Sequence, residues 1–200
     1  MNDEFLFKDL SVIVLAGGQS RRMGRDKASL PVNDRTLLEQ VIQQLDGHFK
    51  ETIISVSNGQ HYELKNARQV EDRYEGAGPL AGILAGLQAS SSGVSLVIPC
   101  DQPEVDLHLV RQMLQALGQY DLVYLRLDGQ IPHPLFALYR RSLVPVIEQL
   151  IKEGKLSVLY LLAEVESLAL DLPSNKIRWH LNSLEDYQSY LEYLRRKSQK

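Results

Sequence analysis

Short apolar runs alternate with amphipathic segments along most of the chain. The strand-like runs are Leu10–Ala16, Thr52–Ser57, Gln69–Val70, Val94–Ile98 and Leu122–Leu127. Between them, apolar residues recur at the three- and four-residue spacing of a helix that covers one face of a sheet. This spacing predicts helices after Thr36 and over Leu80–Ala89, Asp106–Leu117, Leu143–Glu153, Leu156–Glu164 and Ser183–Lys197. Such alternation is typical of a mostly parallel α/β sheet.

The second half of the chain departs from strict alternation. A turn at Asp128-Gly129 separates Leu122–Leu127 from a further strand-like run, Leu135–Tyr139, which indicates a hairpin. Ser167–Leu172 has the pattern of an edge strand. We therefore expect a three-layer, Rossmann-like, mostly parallel sheet with helices on both faces and a small antiparallel departure. At 200 residues, the chain is predicted to form a single domain, 1–200.

The amino-acid composition indicates a globular protein and excludes several other classes. Hydrophobic residues make up 44% of the chain and charged residues 24%, as in ordinary globular proteins. A net charge of −3 argues against a general nucleic-acid binder. Cys100 is the single cysteine, which excludes a disulfide framework. No apolar run approaches the roughly 20 residues of a membrane span, and the acidic start is unlike a signal peptide, so we expect a cytoplasmic protein.

A glycine-rich and basic segment follows the first strand-like run. Gly17 and Gly18 let the backbone approach a ligand closely, and Arg21–Lys27 contains three arginines and a lysine. This concentration of positive charge favours an anion such as a nucleoside triphosphate. The spacing differs from a Walker A loop, because five residues separate Gly18 from Gly24. A tight turn with a solvated basic loop is the alternative interpretation.

Asp101 follows another buried strand and lies between Pro99 and Pro103. The prolines restrict the local chain direction, and a carboxylate held there could bind Mg²⁺. A turn-capping aspartate is the alternative. Ligands of open α/β sheets bind outside the carboxyl ends of the strands, where this residue and the basic segment both lie, so we favour a metal-binding role.

Four segments together carry a resemblance to a known family. They are Leu15-Ala16-Gly17-Gly18-x-Ser20-x-Arg22-Met23-Gly24-x-Asp26-Lys27, Glu71-Asp72 with Gly78-Pro79-Leu80-Ala81-Gly82, Pro99-Cys100-Asp101-x-Pro103, and His133-Pro134-Leu135-x-Ala137-Leu138. The chain resembles the small nucleotidyltransferases of the nucleotide-diphospho-sugar transferase fold, and among them the molybdenum cofactor guanylyltransferases. The likeness spans about residues 10–140 and continues weakly to Asn182-Ser183-Leu184-Glu185-Asp186.

The resemblance implies transfer of GMP from GTP to the phosphate of molybdopterin that bears molybdenum, with release of pyrophosphate. It implies Mg²⁺ as cofactor, GTP and molybdopterin as substrates, and molybdoenzyme clients or other cofactor-biosynthesis proteins as further partners. It also implies a GTP and Mg²⁺ half at about residues 8–105 and an acceptor half at about residues 106–200.

The resemblance also assigns roles to individual residues. It implies that guanine and ribose are contacted by the backbone of Leu15, Ala16, Gly17 and Gly18. The triphosphate would be held by Lys27 and Arg22, which with Asp101 form the catalytic set. Asp101 would carry Mg²⁺. The remaining contacts would be Asp72 and Asn58 to the nucleotide, the latter two positions from the family asparagine, and Asn182 on the pterin side.

The C-terminal motif departs from the family pattern. Leu184 stands where proline is usual, and His180 where asparagine often occurs. His133 is either a pterin contact or a loop histidine. We expect Cys100 to be a buried structural thiol and Trp179 to be a core residue rather than a ligand contact.

Two other functions remain open. One is a cytidylyltransferase of the same fold, acting on the molybdenum cofactor or on a sugar or polyol phosphate. Relatives that use CTP commonly have alanine at the position of Gly17, where a methyl group would crowd a purine more than a pyrimidine, so the glycine favours GTP.

The other open function is that of a non-catalytic nucleotide-binding assembly partner of molybdoenzymes. Retention of both Lys27 and Asp101 favours an enzyme.

Overall fold

The computed structural model describes residues 7–17, 26–74, 76–177 and 179–198. Within these ranges the strands are β1 (Leu10–Leu15), β2 (Pro31–Val32), β3 (Arg35–Thr36), β4 (Glu51–Val56), β5 (Arg68–Glu71), β6 (Val94–Pro99), β7 (Leu122–Leu127), β8 (Ile131–Arg140) and β9 (Ser167–Leu172). The helices are α1 (Leu37–Leu45), α2 (Gly78–Ala89), α3 (Leu107–Ala116), α4 (Val144–Lys152), α5 (Val158–Glu164) and α6 (Leu184–Ser198). The alternation of elements follows the hydrophobic pattern closely.

Seven strands form one sheet in the order β5-β4-β1-β6-β8-β7-β9. The pairs β5–β4, β4–β1, β1–β6 and β7–β9 are parallel, whereas β8 runs antiparallel to both of its neighbours, β6 and β7. The prediction of a mostly parallel sheet with an antiparallel departure is therefore confirmed. The departure consists of β8 inserted between two strands of the common direction.

Both faces of the sheet are covered, which explains why the central strands are apolar at nearly every position. Alternate residues of β1 enter different clusters: Val12 and Val14 pack on the side of α1 and α3, and Ile13 on the side of α2, α4 and α5. The sheet thus forms the middle of three layers. In the part of the chain that the structure describes, no helix is long and apolar enough to cross a membrane.

Helix α1 begins at a reciprocal cap. Thr36 Oγ1 accepts from Glu39 N at 3.2 Å, and a Glu39 carboxylate oxygen accepts from Thr36 N at 2.6 Å. These two hydrogen bonds form a capping box at the start of the helix that was predicted after Thr36. Just before it, β2 and β3 form a two-stranded hairpin that the sequence pattern did not predict, because each strand has two residues and shows no periodicity.

Helix α6 packs on this hairpin rather than on the main sheet. Tyr187 and Tyr190 form a small buried cluster with Leu30, Val32 and Leu37. The segment before α6 is tied to the end of β6, since Leu181 N donates to the Asp101 carbonyl oxygen at 3.0 Å. The C-terminal part of the chain is thereby brought to the strand ends of the sheet.

Strand β8 begins at Ile131, before the predicted run Leu135–Tyr139, and contains a bulge that the sequence pattern did not predict. Tyr124 pairs with Ala137, but the next residue of β7, Leu125, pairs with His133, so Pro134–Phe136 have no partners on β7. The buried Tyr139 hydroxyl donates to the Pro134 carbonyl oxygen at 2.6 Å. Bulges re-aim side chains beside active sites. The bulge in β8 lies beside a cavity that His133 and Leu135 both line.

Candidate active site

The carboxyl ends of β1, β4 and β6 surround a cavity of about 220 Å³. The Ser55 carbonyl oxygen accepts from both Ala16 N at 2.9 Å and Gly17 N at 3.0 Å, and Cys100 N donates to the Leu15 carbonyl oxygen at 3.1 Å. These bonds hold the three strand ends together. Helix α2 begins at the same place, so its positive N-terminal end contributes to the cavity wall through Gly78 and Pro79.

Two glycines are required by close packing at this cavity. A Cβ on Gly17 would lie 2.8 Å from the backbone nitrogen of Ser57, and one on Gly82 would lie 2.9 Å from Ser55 Oγ. Both distances are shorter than real Cβ contacts. Gly82 therefore lets α2 lie close to the sheet. Gly17, however, meets the protein's own backbone, so its presence has a structural cause independent of which base is bound.

Lys27 lies at the centre of the polar side chains. Its Nζ donates to Asp101 Oδ2 at 3.1 Å and to Asn182 Oδ1 at 3.2 Å. The Lys27 and Asp101 side chains are 16% and 21% exposed, respectively, so water screens the pair only in part. This contact joins the end of the basic segment, the end of β6 and the C-terminal segment at one point.

Asp26 fixes the backbone beside Lys27. Its Oδ1 accepts from Ala28 N at 3.1 Å, and its Oδ2 accepts from the Ser29 and Tyr62 hydroxyls, each at 2.8 Å. Burial and the Asp26 carboxylate together raise the pKa of Tyr62, which therefore remains a donor at neutral pH. Tyr62 was not singled out in the sequence, because no motif connects it with Asp26.

A second cavity of about 420 Å³ adjoins the first. The two have Pro99, Asp101 and Leu135 in common, and the second is completed by His133, His180 and Asn182. Asp101 therefore lies in the wall common to both cavities. A group bound in either one would face this carboxylate, with Lys27 beside it.

The structure brings most of the residues expected at the site together. Those that line the first cavity are Leu15, Ala16, Gly17, Lys27, Asp72 and Asp101. Asn182 lines the second. Asn58 instead lines a separate cavity of about 730 Å³ along β5 and α2, in which Asp72 also takes part. Gly18 and Arg22 lie outside the described residues.

Burial shifts the pKa values of two further side chains, Asp72 and Cys100. Burial, followed by the charge of Glu71, raises the pKa of Asp72. Burial also raises the pKa of the Cys100 thiol to about 12, so Cys100 is a buried, unreactive thiol, as expected. Trp179 meets Tyr190 edge to face and Tyr193 at a tilt, with ring centroids 5.2 and 5.1 Å apart, which agrees with its expected role in packing.

Two other polar residues at the site were missed. Ser55 is 1% exposed and lines the first cavity, and its hydroxyl has no hydrogen-bond partner among the described residues. Gln102 is 2% exposed and lies between His133 and His180. The signal for Gln102 was its place inside the Pro-Cys-Asp-Gln-Pro segment, whereas Ser55 lay within an apolar strand pattern.

The donor set fits a magnesium ion held jointly with a substrate. Among the described residues, no group of three or more His, Cys, Asp or Glu side chains could hold a metal ion by itself. Asp101 and Asp72 nevertheless bring two carboxylates to the lining of the first cavity. Mg²⁺ is commonly bound by one or two carboxylates together with substrate phosphates and water. The residues present match that arrangement.

This fold and site define an α/β protein that binds its ligands at the carboxyl ends of parallel strands. The chain belongs to the family described as "MobA-like NTP transferase domain", whose model matches residues 12–167. Two named relatives are similar over nearly their whole length. A "Probable molybdenum cofactor guanylyltransferase" of Carboxydothermus hydrogenoformans is 31% identical over 92% of this chain and 96% of its own. A "Molybdenum cofactor guanylyltransferase" of Pasteurella multocida is 31% identical over 90% and 97%.

A solved structure supports the fold. It is the crystal structure of "Molybdopterin-guanine dinucleotide biosynthesis protein A" from Archaeoglobus fulgidus. Its TM-score is 0.78 at 24% sequence identity, and the match covers 94% of this chain and 100% of that one. At this identity the likeness shows the shared fold alone.

Proposed function

We propose that this protein transfers GMP from GTP to the phosphate of molybdopterin that bears molybdenum, and releases pyrophosphate. The observation that carries the proposal is the Lys27–Asp101 pair, in which Asp101 lies in the common wall of two adjoining cavities and Lys27 lines the first of them. A nucleotidyl transfer needs two anionic substrates to meet at one point. The names of the two relatives supply the identity of the nucleotide and of the acceptor.

The proposed reaction balances without a strong general base. A phosphate oxygen of molybdopterin attacks the α-phosphorus of GTP and forms a P–O bond. The bond from that phosphorus to the oxygen that bridges to the β-phosphate breaks, and pyrophosphate leaves with the electron pair. Since the nucleophile is already an anion, the protein has to position both substrates and neutralise charge.

The described residues divide this work between the cavities. Lys27 would exchange its contact with Asp101 for the triphosphate and stabilise the charge that develops on the leaving pyrophosphate. Asp101, released from Lys27, would hold Mg²⁺, with Asp72 on the nucleotide side. When bound, Mg²⁺ supplies charge neutralisation at the phosphates. The proposal also includes nucleotide contacts by Arg22, Gly18 and Asn58. It places Asn182 on the pterin side.

The test is a transfer assay in which each of the four nucleoside triphosphates is offered with Mg²⁺ and molybdopterin bearing molybdenum. Mass spectrometry of the product should show a GMP adduct with GTP. Asp101→Asn should reduce transfer at least 10²-fold, because it removes a charged ligand at the metal and phosphate site. Asp34→Asn, at a position where the side chain is 80% exposed, is the matched control and should transfer normally.

Two outcomes would contradict the proposal. A CMP adduct formed preferentially from CTP would make the protein a cytidylyltransferase of the same fold. Tight GTP binding without any transfer would instead favour a non-catalytic nucleotide-binding partner of molybdoenzymes. Normal transfer by Asp101→Asn would overturn the role of that carboxylate in either case.

A further inference from the structure

The Gln102 side chain lies between two histidine rings on the acceptor side of the site. Its Nε2 is 3.0 Å from His133 Nε2 and 3.0 Å from His180 Nε2. The rings meet edge to face, with centroids 4.8 Å apart and an interplanar angle of 84°. The three residues come from the end of β6, from β8 and from the segment before α6. One amide therefore connects three separate parts of the chain.

The orientation of the Gln102 amide, with its nitrogen towards the rings, satisfies more hydrogen-bonding groups than the reverse orientation would. The amide nitrogen has two N–H groups and meets two ring nitrogens, so both donors are used. In this orientation Gln102 Oε1 is buried without a partner in the described part of the chain. The reverse orientation would leave the two N–H groups unpaired instead, and buried donors without partners are rarer than under-satisfied carbonyls.

This polarity determines where each ring carries its proton. An amide nitrogen only donates, so both Nε2 atoms accept, and a neutral imidazole that accepts at Nε2 carries hydrogen on Nδ1. Burial, then His180, lowers the pKa of His133 to about 4, and burial lowers that of His180, despite the nearby charge of Asp101. Both rings are consequently neutral near pH 7.

The Nδ1 atoms of His133 and His180 are available to a ligand in the cavity. Within the described residues, the hydrogen bond from Gln102 is the one that each ring makes, and neither Nδ1 atom belongs to the buried atoms that lack a partner. Both rings line the 420 Å³ cavity together with Asp101 and Asn182. Two neutral N–H donors suit uncharged acceptor atoms better than they suit a phosphate, for which Lys27 is nearby.

We propose that Gln102 is a positioning residue that fixes both histidines as Nδ1–H tautomers, so that they donate to carbonyl oxygens or ring nitrogens of the pterin. The proposal rests on the proposed function, since it takes molybdopterin as the acceptor. Gln102 itself need not touch the substrate. It acts through His133 and His180.

The tautomers can be measured without any substrate. We expect long-range ¹H–¹⁵N spectra at pH 7.5 to show Nδ1–H for His133 and His180, assigned with the His133→Asn and His180→Asn variants. Gln102→Glu replaces the donor by an acceptor of nearly the same shape and should place a proton on Nε2 of both rings. Gln112→Glu, on an exposed position of α3, adds the same charge elsewhere and should leave the spectra unchanged.

Steady-state kinetics then distinguish a positioning role of Gln102 from a general contribution to protein stability. Gln102→Met keeps the side-chain volume but removes both donors, and should raise the KM for molybdopterin about tenfold while the KM for GTP stays within twofold. His180→Asn places an amide N–H where Nδ1–H was and should retain a low acceptor KM. His180→Gln places its amide where Nε2 was and should raise the acceptor KM as Gln102→Met does. Thermal melts of each variant check that it folds.

Nε2–H tautomers in the unaltered protein would overturn the proposal. So would an unchanged acceptor KM in Gln102→Met, or an equal rise in both KM values, since a merely structural residue would behave in that way. If the unaltered protein transfers no GMP to molybdopterin, the proposed function fails. Transfer by the unaltered protein with an acceptor KM that does not depend on Gln102 would overturn this proposal alone.

Discussion

Lys27 contacts partners from distant parts of the chain, and this has consequences for how the site binds its substrates. The ammonium group donates to Asp101, 74 residues away, and to Asn182, 155 residues away. Before a nucleotide is bound, Lys27 and Asp101 neutralise one another. On the proposed function, a triphosphate would draw Lys27 away and leave Asp101 open to a metal ion, so we expect metal binding to be stronger after the nucleotide than before it.

Substitutions at Lys27 and Asn182 should affect different substrates although the two side chains touch. We expect Lys27→Ala to lower kcat with GTP by about 10²-fold or more, because a cation is lost at the developing pyrophosphate charge. Asn182→Ala should leave the KM for GTP nearly unchanged and raise that for molybdopterin about fivefold, the equivalent of roughly 1 kcal/mol for one hydrogen bond. Steady-state kinetics with each substrate varied in turn measure both effects.

Lys8→Ala, a lysine substitution on the exposed turn before β1, serves as the control for the Lys27 variant and should retain normal kinetics. The division between the two substrates would be wrong if Asn182→Ala chiefly raised the KM for GTP. It would also be wrong if Lys27→Ala chiefly raised the KM for molybdopterin with kcat unchanged.

At the residue scale, sequence reasoning predicted which residues lie together more readily than why a particular residue is present. Gly17 was expected to leave space for a purine, yet a Cβ there would first meet Ser57 N. The pattern of glycines is visible in a sequence, but the neighbour that a Cβ would touch belongs to another strand. Tyr62, which holds Asp26, was missed for the same reason, since only the fold brings the two together.

At the element scale, helix α2 approaches the sheet through its glycines. A Cβ on Gly86 would lie 2.4 Å from Ile13 Cγ2 on β1, and a larger residue would push α2 away from the strand whose end lines the first cavity. Gly82 and Gly86 are four residues apart, so both lie on the face of the helix that meets the sheet. The bulge in β8 was not predictable in the same way, because Pro134–Phe136 read as an ordinary continuation towards an apolar strand.

The end of the sheet opposite the cavities, where the parallel strands begin, is held by Glu51 at the start of β4. Its carboxylate accepts from Ser91 N and Oγ at 2.8 and 2.6 Å, from Ser11 Oγ at 2.8 Å, and from Arg68 at 3.1 Å. Burial alone would raise the pKa of Glu51, but these hydrogen bonds outweigh it and lower the pKa to about 2. The ionised form is therefore favoured by the folded state.

We expect this carboxylate to make stability depend on pH. A depressed folded-state pKa contributes stability that is fully present above the ordinary value of 4.5 and is lost as pH falls towards about 2. Glu51→Gln should lower the free energy of unfolding near pH 7 by about 1–3 kcal/mol. It should also flatten the decline of that free energy between about pH 4.5 and 2. Urea denaturation followed by circular dichroism at several pH values measures both.

Glu63→Gln, at an exposed position, removes the same charge without these hydrogen bonds and provides the comparison. If the two variants showed the same pH dependence of unfolding, the contribution would arise from general acid titration. The Glu51 contacts would then have no special part in acid stability.

At the scale of the whole molecule, the order of elements and the convergence of the expected site residues at the strand ends followed from the sequence. Strand and helix periodicity is local, and a parallel sheet places its ligand crevice at the carboxyl ends of the strands. The contacts that complete the site are not local. Leu181 N reaching the Asp101 carbonyl, and Gln102 lying between His133 and His180, depend on how the C-terminal segment folds back. No spacing within the chain encodes either contact.

The place of β8 in the sheet also bears on how the protein is made. β6 pairs with β8, yet β7 is synthesised between them, so one edge of β6 has no partner until residues 131–140 have left the ribosome. An apolar strand with an open edge invites pairing with other chains. We expect nascent chains stalled before β8 emerges to be cleaved readily by protease within Val94–Cys100, and chains stalled after it to be protected. Equal protection in both would mean that β6 is covered during synthesis by something other than its final neighbour, and the risk of aggregation would then lie elsewhere.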